Sequence, residues 1–325
     1  MTLFQKYFPY TELNSRAVLY ALILLKIVFE VPHVISSYQM VYVRDRRFIK
    51  KNWATTLLLP FILFFVFLVV FIKSIFFGIS PEGLVVVLAS AIFFLFGWHR
   101  SMQTYGCMLI YSKYVNYFIS DFQKKYIKFF LIVMWIFGYL NLNHNAPSFV
   151  FYDITVSRIE IDRNILVAAD IGMFLAWLGF AFIVVYKNIK DQKKLPSINF
   201  MIAPLALFIW WSAFLLNWNF YYFLLPSFHA LQHLSFVYGS NFQRPFETTS
   251  ALLFRLSRHF YFFRLVLLAA LIYLVSDLLI ANFDIHKNMS ILLGIVIILI
   301  SLHHYFLDRI IWKSSDGIVK ATVLN

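Results

Sequence analysis

The stretch ATTLLLPFILFFVFLVVFIKSIF, residues 54–76, carries a single charge, Lys73. A helix crossing the ~30 Å hydrocarbon core of a bilayer needs about 20 apolar residues, and this run supplies them. Similar runs recur along the chain. They are read as about nine helices, at 17–38, 54–76, 84–112, 128–147, 165–187, 199–217, 219–240, 259–282 and 289–312. The fold class expected is all-α: a polytopic membrane helix bundle, one transmembrane domain over residues 1–325. Composition agrees, with 62% of the 325 residues hydrophobic and only 13% charged. A soluble domain carries roughly twice that share of charge.

Charge is placed as orientation signals are. RDRRFIKK (44–51), the lysines Lys113, Lys124, Lys125 and Lys128 of a loop at 113–128, KNIKDQKK (187–194), Arg244, Arg255 and Arg258, and the tail with Lys313 and Lys320 form one set of connections. GISPEG (78–83), the NWN of 217–219 and DITVSRIEIDRN (153–164) alternate with them and are poorer in net basic charge. The positive-inside rule then sets the N-terminus outside and the C-terminus in the cytoplasm. The protein is read as an integral, multi-pass protein of the plasma membrane, or of the inner membrane in a bacterium. The net charge of +13 sits in these short loops, so no nucleic-acid partner is expected. The opening MTLFQKYFPYTELNSR lacks the apolar core and cleavage site of a signal peptide, so the next apolar stretch is expected to stay as the first span. Residues 141–164 read as the one long outer loop. The single cysteine, Cys107, excludes an internal disulfide and a thiolate metal cluster.

Six histidines fall inside the expected spans: His33, His99, His229, His233, His303 and His304. Each lies about 10–16 residues into its helix, hence about 15–24 Å from the outer face at ~1.5 Å per residue. The four helices that hold them run in the same direction, so the six share one layer. Imidazole is costly in hydrocarbon unless its nitrogens find partners. One such histidine is more often a hydrogen-bonded packing residue than a ligand; convergence from four helices points to a metal. His144, His259 and His286 fall in outer-loop or interfacial positions.

The contexts are EVPHVISSY (30–38), GWHRSMQTYG (97–106), PSFHALQHLSFVYG (226–239) and LHHYFLDRIIWK (302–313). His229 and His233 are four apart, on one helix face, a chelating spacing. Glu30, Gln103 and Asp308 stand one turn from a histidine and are candidates to steady the ligands; Asp308 is expected to hold the second ring nitrogen of His304. Glu30 can equally be a structural ion pair with Lys26. Trp98, Phe228, Phe236, Tyr238 and Tyr305 are candidates to line a substrate pocket, although many of the 39 phenylalanines must simply pack or face lipid.

An all-imidazole site suits iron, copper or zinc. Fe(II) with open positions activates oxygen, and a site inside the bilayer would meet a lipophilic, membrane-dissolved substrate. The order of Pro32-His33, then His99, then the pair His229 and His233, resembles the Brp/Blh family of integral-membrane β-carotene dioxygenases. The resemblance covers order and spacing over about residues 30–240 and implies that these four histidines hold a non-haem iron that cleaves a carotenoid with molecular oxygen. The chain departs from that family at PHVISSYQ, which lacks the glycine and aspartate near its first histidine, and the WHRSMQTYG and LHHYFLDRIIWK stretches are not family hallmarks. The expected function is therefore a membrane iron oxygenase acting on a carotenoid-like or other unsaturated lipid, with an electron donor left open. Three other classes fit the residues: a haem-binding membrane cytochrome with axial histidines, a proton- or metal-linked transporter, and a structural membrane subunit whose histidines bind a partner or pigment. No internal repeat of the kind transporters carry is evident.

The iron reading predicts that the purified protein holds iron and that His229→Ala or His233→Ala each loses most of it. Full stoichiometry in both variants, by elemental analysis, would contradict this.

Overall fold

A computed structural model describes residues 21, 23–42, 46–145, 148–151, 154–157, 159–212, 221–241, 260–272, 274–275 and 287–312. The described elements are helices with one small β-hairpin. A π-helical turn at Lys26–Glu30 leads into α1 (Val31–Tyr42), followed by α2 (Arg46–Lys51). A second π-helical turn, Ala54–Leu58, leads into α3 (Leu59–Phe77); α4 (Glu82–Tyr114) and α5 (Asp121–Asn145) follow. Strands β1 (Ser148–Phe151) and β2 (Ile154–Ser157) pair antiparallel, with Ser148 opposite Ser157. Then come α6 (Arg163–Phe180), a third π-helical turn (Ala181–Tyr186), α7 (Lys187–Gln192), α8 (Ile198–Trp211), α9 (Tyr221–Asn241), α10 (Phe260–Ile272) and α11 (Lys287–Ile311).

Among the described residues, five helical stretches are long and apolar enough to cross a membrane: Ala54–Phe77, Glu82–Tyr114, Asp121–His144, Arg163–Gln192 and Ile291–Ile311. Ile198–Trp211 and Phe260–Ile272 are apolar but shorter, so the nine expected spans are matched here by five of full length. On α3 the side chains of Phe61, Phe64 and Phe76 are exposed, as expected of a helix that meets hydrocarbon rather than water.

Three loop expectations change. Lys124, Lys125 and Lys128 lie on the first turns of α5, because a reciprocal cap starts that helix early. Ser120 N–H donates to Gln123 Oε1 at 2.9 Å and Gln123 N–H donates to Ser120 Oγ at 3.3 Å. The KNIKDQKK segment stays helical to Gln192 and closes at Lys193, whose φ of 52° is left-handed. The stretch 141–164 is not an open loop: α5 runs to Asn145, and the hairpin beyond it buries Ile154 and Val156 against the helices.

Helix α4 is the hub, packing against α5, α8, α11 and β2; α11 packs in turn against α1, α3 and α4. Between α4, α5, α6 and α8 lies an aromatic core that includes Met108, Phe130, Phe180 and Phe200, all fully buried. A second cluster, Met40, Val41, Val237, Leu307 and Ile311, joins α1, α9 and α11 just beyond the histidine layer. In a bilayer such packing relies on close approach rather than on expulsion of water. Gly97 and Gly138 supply it: a Cβ on either would strike the ring of Trp211.

Gly138→Ala is expected to destabilise the bundle, since overpacking costs about 1–3 kcal/mol against the ~1 kcal/mol that alanine gains in a helix. Gly172→Ala, where a Cβ would meet nothing within 4 Å, should be neutral or stabilising. Unfolding in detergent, followed by circular dichroism, compares the two.

Candidate metal centre

His33 stands on α1 directly after Pro32 and the first π-helical turn, His99 in mid-α4, His229 and His233 on α9, and His304 with Asp308 on α11. Their rings converge. His304 Nε2 lies 2.9 Å from His33 Nε2, and His99 Nε2 lies 3.0 Å from His229 Nε2. Rings of His33 and His233 are 4.0 Å apart between centroids, and those of His33 and His229 5.0 Å. The tightest donor set is His33, His99, His304 and Asp308, four buried residues whose ligand atoms all lie within 4.8 Å of one another. This group could hold a metal ion.

Asp308 decides how the cluster is read. Its Oδ1 accepts from Ser37 Oγ at 2.6 Å. Its Oδ2 takes no hydrogen bond among the described residues, yet it sits 3.7 Å from His33 Nε2 and 3.6 Å from each of His99 Nε2, His233 Nδ1 and His304 Nε2. A 2% exposed carboxylate left so would cost several kcal/mol. A cation among these atoms removes the cost. Two ligands at ~2.1 Å from one ion stand about 3.0 Å apart in an octahedron and about 3.4 Å in a tetrahedron. Within the donor set, His33–His304 at 2.9 Å and Asp308 Oδ2 at 3.6–3.7 Å from His33, His99 and His304 fall around that range. An N–H···N bond between neutral imidazoles has the same length as the two short pairs, and a carboxyl that takes up a proton escapes the same cost, so the group is one that could hold a metal ion.

Asp308, expected to hold the second ring nitrogen of His304, faces Nε2 of that ring, the same nitrogen that faces His33, whereas Nδ1 of His304 and of His33 takes no hydrogen bond among the described residues. Its carboxylate is one of the four groups that could ligate an ion.

His233 is held at both nitrogens. Trp312 Nε1, which can only donate, lies 3.3 Å from His233 Nδ1. The ring proton therefore belongs on Nε2, which faces Ser36 and Ser37 Oγ at 3.4 Å each. His229 is steadied through its backbone, whose carbonyl accepts from Gln103 Nε2 at 3.2 Å. Tyr305 stacks on His99 with ring centroids 4.5 Å apart and 19° between planes.

His303 is not in the cluster. Its neighbours are Tyr38 OH at 2.7 Å from Nδ1 and the Thr55 carbonyl at 3.0 Å from Nε2. A residue adjacent to His304 on a helix points about 100° away from it. The Thr55 carbonyl lies in the second π-helical turn, where the altered helix pairing makes room for such a bond. Glu30 accepts from Ser227 Oγ at 3.3 Å and lies within electrostatic reach of Lys26 and Arg100. Of the expected pocket residues, Phe236 is buried against Trp312 and Tyr111, Phe228 is 58% exposed and faces outward, and Trp98 faces Arg309 at 5.7 Å. The Tyr238 side chain lies outside the described residues, as do His259, His286, Lys313 and Lys320.

Sequence reasoning missed Ser36, Ser37, Trp312 and Arg100. The serines follow His33 by three and four residues and Trp312 follows Asp308 by four, so the same helical spacing, extended to neutral donors, finds them. Arg100 is fully buried with its guanidinium carbon 3.5 Å from the Phe96 ring centroid and 3.3 Å from that of Trp210. It stacks toward α8 and lies within electrostatic reach of His99, His229 and Glu30. Comparison with family models, curated proteins and solved structures finds no match for the chain.

Asp308→Asn keeps the shape of the side chain and removes its charge. Metal affinity is expected to fall about tenfold or more, with the helical content unchanged. Ser37→Ala should weaken binding less. Metal titration of the apo-protein, with circular dichroism alongside, measures both.

Proposed function

We propose that the protein is an integral-membrane, histidine-ligated non-haem iron oxygenase acting on a lipophilic substrate dissolved in the bilayer. The observation that carries this reading is the buried set of three imidazoles and one carboxylate, His33, His99, His304 and Asp308, within 4.8 Å of one another. Nitrogen and carboxylate donors without thiolate are the donor set of non-haem iron(II), and four protein ligands leave open positions on a six-coordinate ion. Iron(II) held there would supply oxygen activation.

The residues of the chain account for the rest. Asp308 offsets part of a divalent charge that imidazoles alone would leave bare in a low-dielectric bundle. Ser37 fixes that carboxylate by its 2.6 Å hydrogen bond, and the Tyr305 ring holds the plane of His99. His229 and His233, expected from the sequence as ligands, lie outside this set and pack edge-on against His33, so on this donor set His33→Ala and His304→Ala, rather than His229→Ala and His233→Ala, are expected to lose most of the iron. Crowding of this kind, with interplanar angles of 71–89° among His33 and its three neighbours, suits one compact ion better than a flat macrocycle slotted between axial ligands. The order of His33, His99, His229 and His233 is similar to that of the carotene-cleaving membrane dioxygenases, which makes a polyene lipid the first substrate class to test.

Protein purified in detergent is expected to carry about one iron per chain, without a haem absorption band, and to consume oxygen when given a carotenoid or another polyunsaturated lipid. A haem band, or a chain that retains no metal after iron loading, would overturn the assignment.

A further inference from the structure

Arg100 directly follows the donor His99 on α4 and is only 1% exposed. A guanidinium keeps its proton inside proteins, so this residue brings a fixed positive charge into the bundle. An ionisable side chain at such depth is costly and points to a function. Rings hold the charge in place. The guanidinium carbon lies 3.5 Å from the ring centroid of Phe96 and 3.3 Å from that of Trp210, so the flat cation is stacked by aromatic side chains of α4 and α8.

The same rings lead to the donors. Phe96 stands 6.3 Å from Tyr305 between centroids, and Tyr305 stacks on His99 at 4.5 Å. Arg100 is thus linked to the His99 imidazole through two rings, and both His99 and His229 lie within its electrostatic reach. Aromatic packing fills the path between them, and buried charges are screened much less than exposed ones. Glu30 supplies the opposing charge. It lies within reach of Arg100 and also of Lys26, and its carboxylate accepts from Ser227 Oγ at 3.3 Å. One carboxylate faces two cations there, so the group stays net positive.

We propose that Arg100 sets the redox poise of the metal centre: its fixed charge favours iron(II) over iron(III) and so keeps the resting ion in the state that reacts with dioxygen. The inference rests on the iron reading above. Its physical basis is one of sign. Oxidation adds one positive charge among His33, His99, His304 and Asp308 and passes one electron to an outside acceptor. The guanidinium repels the added charge, whereas the Glu30 carboxylate attracts it. The two residues therefore act in opposite directions, which a role in packing alone would not produce.

Anaerobic redox titration of the iron-loaded full chain with soluble mediators, followed by electron paramagnetic resonance of iron(III), tests this. At a fixed solution potential Arg100→Gln should shift the balance about tenfold toward iron(III), which is a midpoint about 59 mV lower for one electron. Glu30→Gln removes the opposing charge and should shift the balance severalfold toward iron(II). Iron content and circular dichroism must match the parent in both. An unchanged midpoint in Arg100→Gln, or shifts of the same sign in the two variants, would overturn the proposal and leave the metal centre standing. Where Arg100→Gln fails to fold or to hold iron, Glu30→Gln decides alone, and an unchanged or lowered midpoint there overturns the proposal. A parent protein that holds no iron would overturn both this role and the iron reading.

Discussion

The carboxylate of Asp308 sits in the interior of a bundle whose outer surface meets hydrocarbon, with four imidazole nitrogens 3.6–3.7 Å from one of its oxygens. A lone charge in such a medium is too costly to keep, and the surrounding helices are arranged around that cost. Ser37 of α1 spends its proton on one carboxylate oxygen. His33, His99, His233 and His304 face the other, so α1, α4, α9 and α11 are tied to one point. The registers of these four helices follow: a shift by one residue on any of them turns its histidine about 100° from the centre.

Supporting contacts lie one turn away, on the same helix faces. Trp312 extends the Asp308 face, Gln103 the His99 face, and Ser36 and Ser37 the His33 face. Each also crosses to a neighbouring helix. In a bilayer a polar group is satisfied by another helix or not at all, so the polar side chains collect where helices meet. The π-helical turns contribute locally: one precedes His33, and another presents the Thr55 carbonyl to His303. That bond draws His303 out of the ligand layer although it adjoins His304 in sequence.

Much of the fold was legible because hydrocarbon leaves few choices. The spans at 54–76, 84–112 and 165–187 reappear as helices with ends moved by a few residues. Where the reading slipped, local polar chemistry was responsible. The Ser120–Gln123 cap started α5 before the apolar run did, and the hairpin after Asn145 buried Ile154 and Val156 in a stretch that looked like a loop. The candidate site was legible in part. His33, His99, His229, His233 and His304 do meet. That Asp308 faces the imidazoles while His303 turns to Tyr38 and Thr55 was not visible, since residues of one helical turn are equivalent in sequence until a partner helix selects a face.

What the amino-acid order by itself determined is therefore a set of apolar helices with histidines at one depth, because length, hydropathy and position along a helix are properties of a single chain segment. What only the tertiary structure decided is which of those polar groups face one another. That choice depends on helix rotation and crossing, which no segment specifies alone. It placed a carboxylate among the imidazoles, sent His303 to Tyr38 and Thr55, and set Arg100 between the rings of Phe96 and Trp210.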